Sequence, residues 1–135
     1  MTAHALFEED MIDYLAANGF GVENTSLFLN TMPDSPSPCW AVRPVGGGSL
    51  EPNVGAVMRR SSIQFQYRHS DQIVGKQAVN SLVDHFRGKV DFAVGTHHVM
   101  HCNPAQEDPP ITYFDQHQPR RATWTPTVTF TYYQT

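Results

Sequence analysis

SSIQFQYRHSDQIVGKQAVNSLVDHFRGKV, residues 61–90, reads as one strand running directly into one helix. Ile63, Phe65 and Tyr67 fall on alternate positions, with Gln64, Gln66 and Arg68 between them. Period two gives a strand with one apolar face and one polar face. From residue 73 the period lengthens. Ile73, Val74, Ala78, Leu82, Val83 and Phe86 recur at three- and four-residue steps, which is the stripe of an amphipathic helix. Ser70 or Asp71 is the N-cap, because either side chain can accept from the first free backbone N–H groups. Gly88 closes the last turn, and Arg87 and Lys89 suit the negative end of the helix dipole. The two apolar faces are close enough in sequence to meet and seed the core.

Outward from this unit, residues 4–18 predict a first helix. Leu6, Phe7, Met11, Ile12 and Leu15 form its stripe, Glu8, Glu9 and Asp13 lie opposite, and Asn18-Gly19 stops it. Residues 26–31 predict a short strand with Leu27 and Leu29 on one face and Phe28 on the other. Residues 32–38 (MPDSPSP) are a loop, since three prolines exclude helix and central strand. Residues 39–45 (CWAVRPV) predict a strand, with Pro44 marking an edge or an end. Residues 46–55 read as a flexible hairpin loop. Gly46-Gly47-Gly48-Ser49 lacks the Gly-Lys-Ser/Thr that a phosphate loop needs.

After the second helix, residues 96–103 and 111–115 predict strands, with a proline-containing loop between them. In the last segment Trp124, Pro126, Val128, Phe130 and Tyr132 share one face, and Thr123, Thr125, Thr127, Thr129 and Thr131 share the other. Such alternation suits a sheet covered on one side. The order is helix, three strands, helix, three strands. The fold class that follows is α+β: one domain over residues 1–135, a single mixed or mainly antiparallel sheet, and two helices packed on one face.

Composition narrows the function classes. Of 135 residues 16% are charged, so the surface is largely neutral and polar, which is cheap to desolvate against a partner. A net charge of −4 argues against a general nucleic-acid binder. No secretory signal opens the chain, and no run approaches the roughly 20 apolar residues that span a bilayer. Cys39 and Cys102 lie far apart without a CxxC, and read as two reduced, buried thiols of a cytosolic chain. A single disulfide between them stays open.

Chemistry is sparse. His97, His98, His101 and Cys102 are metal-ligand types, but on a strand His97 and His101 would stand roughly 13 Å apart on one face, with His98 and Cys102 opposite. A metal site would need Asp115 or His117 from elsewhere. No Gly-x-Ser-x-Gly elbow marks a nucleophile, and Glu107-Asp108 sits in a proline-rich loop as a solvated pair. The pairs Arg59-Arg60 and Arg120-Arg121 read as solubilising or interface arginines. No catalytic residue, metal or cofactor is assigned.

The layout as a whole resembles the minor capsid and tail-terminator (tail-completion) proteins of long-tailed bacteriophages. The resemblance rests on the helix ending in Ala17-Asn18-Gly19, the strand, proline break and glycine loop that follow, the strand IQFQYRH before a helix opening at Asp71, and the late aromatic–threonine strand. The histidine-rich segment departs from that layout. The resemblance implies a virion protein at the head-proximal end of the tail, present in the host cytoplasm during assembly. It implies a ring of identical subunits, usually six, that caps the tail tube, ends its polymerisation and docks on the head connector. Its partners would be its own copies, the tail tube protein and head–tail connector proteins, with no membrane and no sequence-specific nucleic acid, although DNA would pass through the ring. It implies no reaction and no cofactor. The interface candidates are Gln64, Gln66, Arg68, Arg59, Arg60, Thr127 and Thr129, with loops 32–38 and 45–60 reaching neighbours. Two other readings are a head–tail connector or head-completion protein, and a metal-dependent hydrolase using His97, His98 and His101 with Asp115.

Overall fold

The computed structural model describes residues 6–33, 38–46, 58–115 and 121–134. These form two helices and eight strands: α1 (Phe7–Ala17), β1 (Leu27–Leu29), β2 (Cys39–Pro44), β3 (Met58–His69), α2 (Gln72–Phe86), β4 (Val90–Val94), β5 (His97–Pro104), β6 (Ile111–Phe114), β7 (Ala122–Trp124) and β8 (Thr127–Gln134). The strands make one sheet in the order β1-β2-β3-β8-β5-β4, with β7 beside the end of β3 and β6 beside β7. Only β1 and β2 run parallel among the described pairs. The fold is α+β, a mixed and mostly antiparallel sheet. Most of the predicted loops 32–38 and 46–55, with Arg120 and His117, lies outside the described residues.

β3 is the axis of this sheet. Its Ile63, Phe65 and Tyr67 are buried with Trp40 and Val42 of β2 and Val128, Phe130 and Tyr132 of β8. Both helices lie on that side. Phe86 of α2 meets Phe65 at 5.7 Å and Phe130 edge-on at 5.2 Å, and Phe7 of α1 stacks on Tyr132 at 4.0 Å. Each such ring contributes about 1.5–3 kcal/mol by leaving water. Asp71 caps α2, accepting from the N–H of Ile73 at 3.0 Å and of Val74 at 3.1 Å. Gly88 follows the helix at φ +69°, the left-handed turn that closes it.

Four features differ from the sequence reading. The stripe of α2 begins at Gly75 and Val79, while Ile73 is 73% exposed and Val74 also faces out, because the first turn overhangs the sheet. Gly75 is there for space: a Cβ would stand 2.5 Å from the Trp124 ring. β4 is an additional strand; as an outer edge it exposes most of its residues, so it shows no alternation to read. The last segment is broken into β7 and β8 at Thr125-Pro126, where proline has no N–H to give the ladder, although Pro126 still accepts from Phe65 N–H at 2.8 Å.

The fourth difference is a bulge in β5. His98 pairs Tyr133 and Val99 pairs Tyr132, but His101 pairs Thr131, so Met100 is left over. The extra residue reverses the alternation beyond it. His97, Val99 and Cys102 therefore share the buried side, which separates His97 from His101 and joins it to Cys102's face.

Candidate functional site

The side of the sheet away from the helices carries most of the interface candidates. Along β3, alternation puts Arg60, Gln64, Gln66 and Arg68 there; along β8 it puts Thr127, Thr129 and Thr131 there. Arg59 falls between Arg60 and Met58 on the opposite parity and is exposed at the strand's end. Ser62 and Thr129 hydroxyls join β3 to β8 at 2.9 Å. The bulge adds His101 to this face beside Thr131, and Asn103 pairs Thr129. His98 stacks near Tyr133 at 5.1 Å and meets Asp91 of β4 at 3.4 Å.

The face is not open throughout. Thr123 (2%) and Thr131 (5%) are buried, as is Arg68 (7%), so the threonine row is solvent-facing only in its middle. Arg68 donates to the Pro33 carbonyl and, at 3.4 Å, to Cys39 Sγ, drawing the segment after β1 across the sheet.

Between that segment and β6 lies a cavity of about 710 Å³ whose walls include Arg43, Gln66, Arg68, Tyr113, Arg121 and Thr123. Gln66 Nε2 donates to the Tyr113 hydroxyl at 2.6 Å. Arg121 is nearly buried and pairs with Asp115 at 2.8 Å, while Asp115 N–H returns a bond to the Arg121 carbonyl at 2.9 Å. The sequence flagged Arg121 only as half of a surface pair. It showed no signal for Arg43, Tyr113 and Asp115 as neighbours of Gln66, because the sheet collects them from β2, β6 and the turn before β7.

The histidine-rich segment is dispersed. His97 Nδ1 meets Asp10 Oδ2 of α1 at 2.8 Å inside the protein, and the same carboxylate accepts from Thr96 N–H at 3.0 Å and Thr96 Oγ1 at 3.2 Å. Gly95, at φ +59°, leaves room for that carboxylate, which a Cβ would overlap. Asp10 thus ties α1 to the β4–β5 turn. Cys102 Sγ donates to the Phe86 carbonyl at 3.2 Å, and burial pushes its thiol up to about 11. Burial also raises the Cys39 thiol, against the pull of Arg68 and Arg121. Both cysteines are free, buried thiols held protonated at neutral pH. Among the described residues no group of three or more His, Cys, Asp and Glu side chains is placed to hold a metal ion.

A family model described as bacteriophage tail terminator protein matches residues 14–118. The chain belongs to the bacteriophage tail terminator family. That match spans β1 through β6 and so includes the axis strand, α2 and the cavity walls up to Asp115. The tail terminator family is structural, and its place is the virion tail. Among curated proteins none matches the sequence. One solved structure resembles this terminator chain over 96% of its length and 90% of the other's, at 13% identity and a TM-score of 0.48. No helix of the described residues is long and apolar enough to cross a membrane.

Proposed function

We propose that this terminator acts by assembling into a closed ring of identical subunits, six in number, on the head-proximal end of the tail tube. The ring ends tube polymerisation and offers the docking surface for the head connector. The observation that carries the reading is the sheet's helix-free face. One side of the sheet is filled by aromatic packing, whereas the other holds Gln64 of β3 and Thr127 and Thr129 of β8, half-buried and with no helix over them among the described residues. A half-buried, neutral, hydroxyl- and amide-rich surface is cheap to desolvate and rich in directional hydrogen bonds, as a subunit interface needs. A head-to-tail contact must also close on itself, since otherwise it grows into a filament.

The partners on this reading are further copies of the chain, the tail tube protein and the connector. Purified protein is mixed with elongating tail tubes and imaged by electron microscopy, with native mass of the protein measured alongside. Capped tubes of arrested length and a six-subunit mass are the expected result. Tubes that lengthen unchanged, with no density at their ends, overturn the proposal.

A further inference from the structure

The cavity on the helix-free face is net positive on a chain that is net negative. Its described walls hold Arg43, Arg68 and Arg121 against one carboxylate, Asp115, a balance of 3 − 1 = +2. The whole chain is at −4. Arg121 is more than nine-tenths buried, and its Nε has no hydrogen-bond partner among the described residues. Arg43 stands exposed at the rim, paired across the ladder with Gln64. A buried guanidinium is costly to desolvate, and further negative charge brought close to it offsets part of that cost. Planar guanidinium forks match carboxylates in two-bond geometry, and the Gln66 amide, Tyr113 hydroxyl and Thr123 hydroxyl supply further polar contacts.

The chain carries the complementary surface. Glu9 and Asp13 stand four residues apart on the exposed side of α1, on one helical ridge, and Glu23 lines the same neighbourhood beside β1. A nucleic-acid backbone is a poorer occupant. It would meet a net negative protein at long range and find the cations gathered in one hollow rather than spaced along a track.

We propose that the arginine cavity receives the acidic ridge of a second copy of this chain, so that Glu9 and Asp13 of one subunit complete the site formed by Arg43, Arg68 and Arg121 of the next. This deepens the ring reading and rests on it, by naming the contact through which neighbouring subunits join. Because the two surfaces are different patches, the contact is head-to-tail, the type that a closing ring requires. It is electrostatic in part and weakens as salt screens it.

The test is a charge swap on the full chain. Sedimentation velocity in low salt compares wild type, Arg43→Glu, Glu9→Lys with Asp13→Lys, and a one-to-one mixture of the two variants. All these positions are exposed, and circular dichroism checks that each variant folds. Wild type should associate, each variant alone should associate at least tenfold more weakly, and the mixture should recover, because each variant keeps the surface the other has lost. A wild type that stays monomeric, variants that associate as tightly as wild type, or a mixture that fails to recover would each overturn the inference. Tube capping by Arg43→Glu at wild-type efficiency would sink this contact and leave the terminator reading standing.

Discussion

The two faces of β3 are built from the same twelve residues and obey different rules. On the helix side, Phe65 and Ile63 are fully enclosed, with the Phe86 ring of α2 5.7 Å and the Phe130 ring of β8 6.3 Å from the Phe65 ring. On the other side, Gln64 and Gln66 are half-buried, and their neighbours come from β2, β8 and β6 through single hydrogen bonds or none. Alternation assigns each residue to a face. What differs is the partner: the first face finds its own inside the chain, and the second leaves part of its bonding capacity for something outside. Stability therefore concentrates on one side, and the proposed assembly surface is the other.

Truncating Phe86 to alanine should test the packed face hardest. It removes a fully buried ring from between Phe65, Phe130 and Tyr14, and a loss of about 3–5 kcal/mol in urea unfolding is expected. A loss under about 1 kcal/mol would mean the helix side is not the stabilising one. The open face should respond in the opposite way. Gln66→Glu with Thr129→Glu should lower stability by only about 1 kcal/mol each, the worth of the single side-chain hydrogen bond that each loses, while impairing ring closure or docking. Gln66→Glu also places a carboxylate in the arginine cavity, where it competes with a neighbour's. A double variant that is unfolded by circular dichroism would erase the distinction between the faces.

The smallest effect concerns a polar bridge between the helices on the packed side. Tyr14 and His85 meet at 2.6 Å between α1 and α2. Burial, and then the Lys89 charge, holds His85 below its ordinary 6.5, and burial lifts Tyr14 to about 12. The folded state therefore prefers neutral His85, and the unfolded chain takes up the proton first. That stability is whole above about 6.5 and is lost as pH falls through the lower folded value. Melting temperature should fall more between pH 7.5 and 5.5 for wild type than for His85→Gln; equal falls would remove His85 from the account.

Much of the packed face was readable in advance because its signals are local. The period change between Arg68 and Ile73, the Asp71 cap and the Gly88 stop each act within a few residues. The errors came from interactions across the chain. Nothing near Met100 announces a bulge, which shows only in the register against β8, and that single residue sets Cys102 on His97's side of the strand and His101 on the other. Gly75 looks like a flaw in a helix until Trp124, 49 positions later, is set against it. Asp10 reads as one more acid of a helix's first turn, yet its carboxylate is consumed by Thr96 and His97. The arginine cavity is harder still to read, because its walls come from five separated segments and their proximity exists only in the folded sheet.

The length of β3 has a mechanical consequence. It is bonded to β2 from Ile63 to Arg68 on one side, and to β8 from Met58 to Gln64 and β7 from Tyr67 to His69 on the other. Ladder bonds lie across a strand, so a pull along β3 loads both rows at once, in shear. A pull that lifts β1 away from β2 loads three residue pairs in succession, like a zip. The chain is therefore stiffer along β3 than at that edge, and in the proposed ring the direction in which β3 points would fix which loads it withstands.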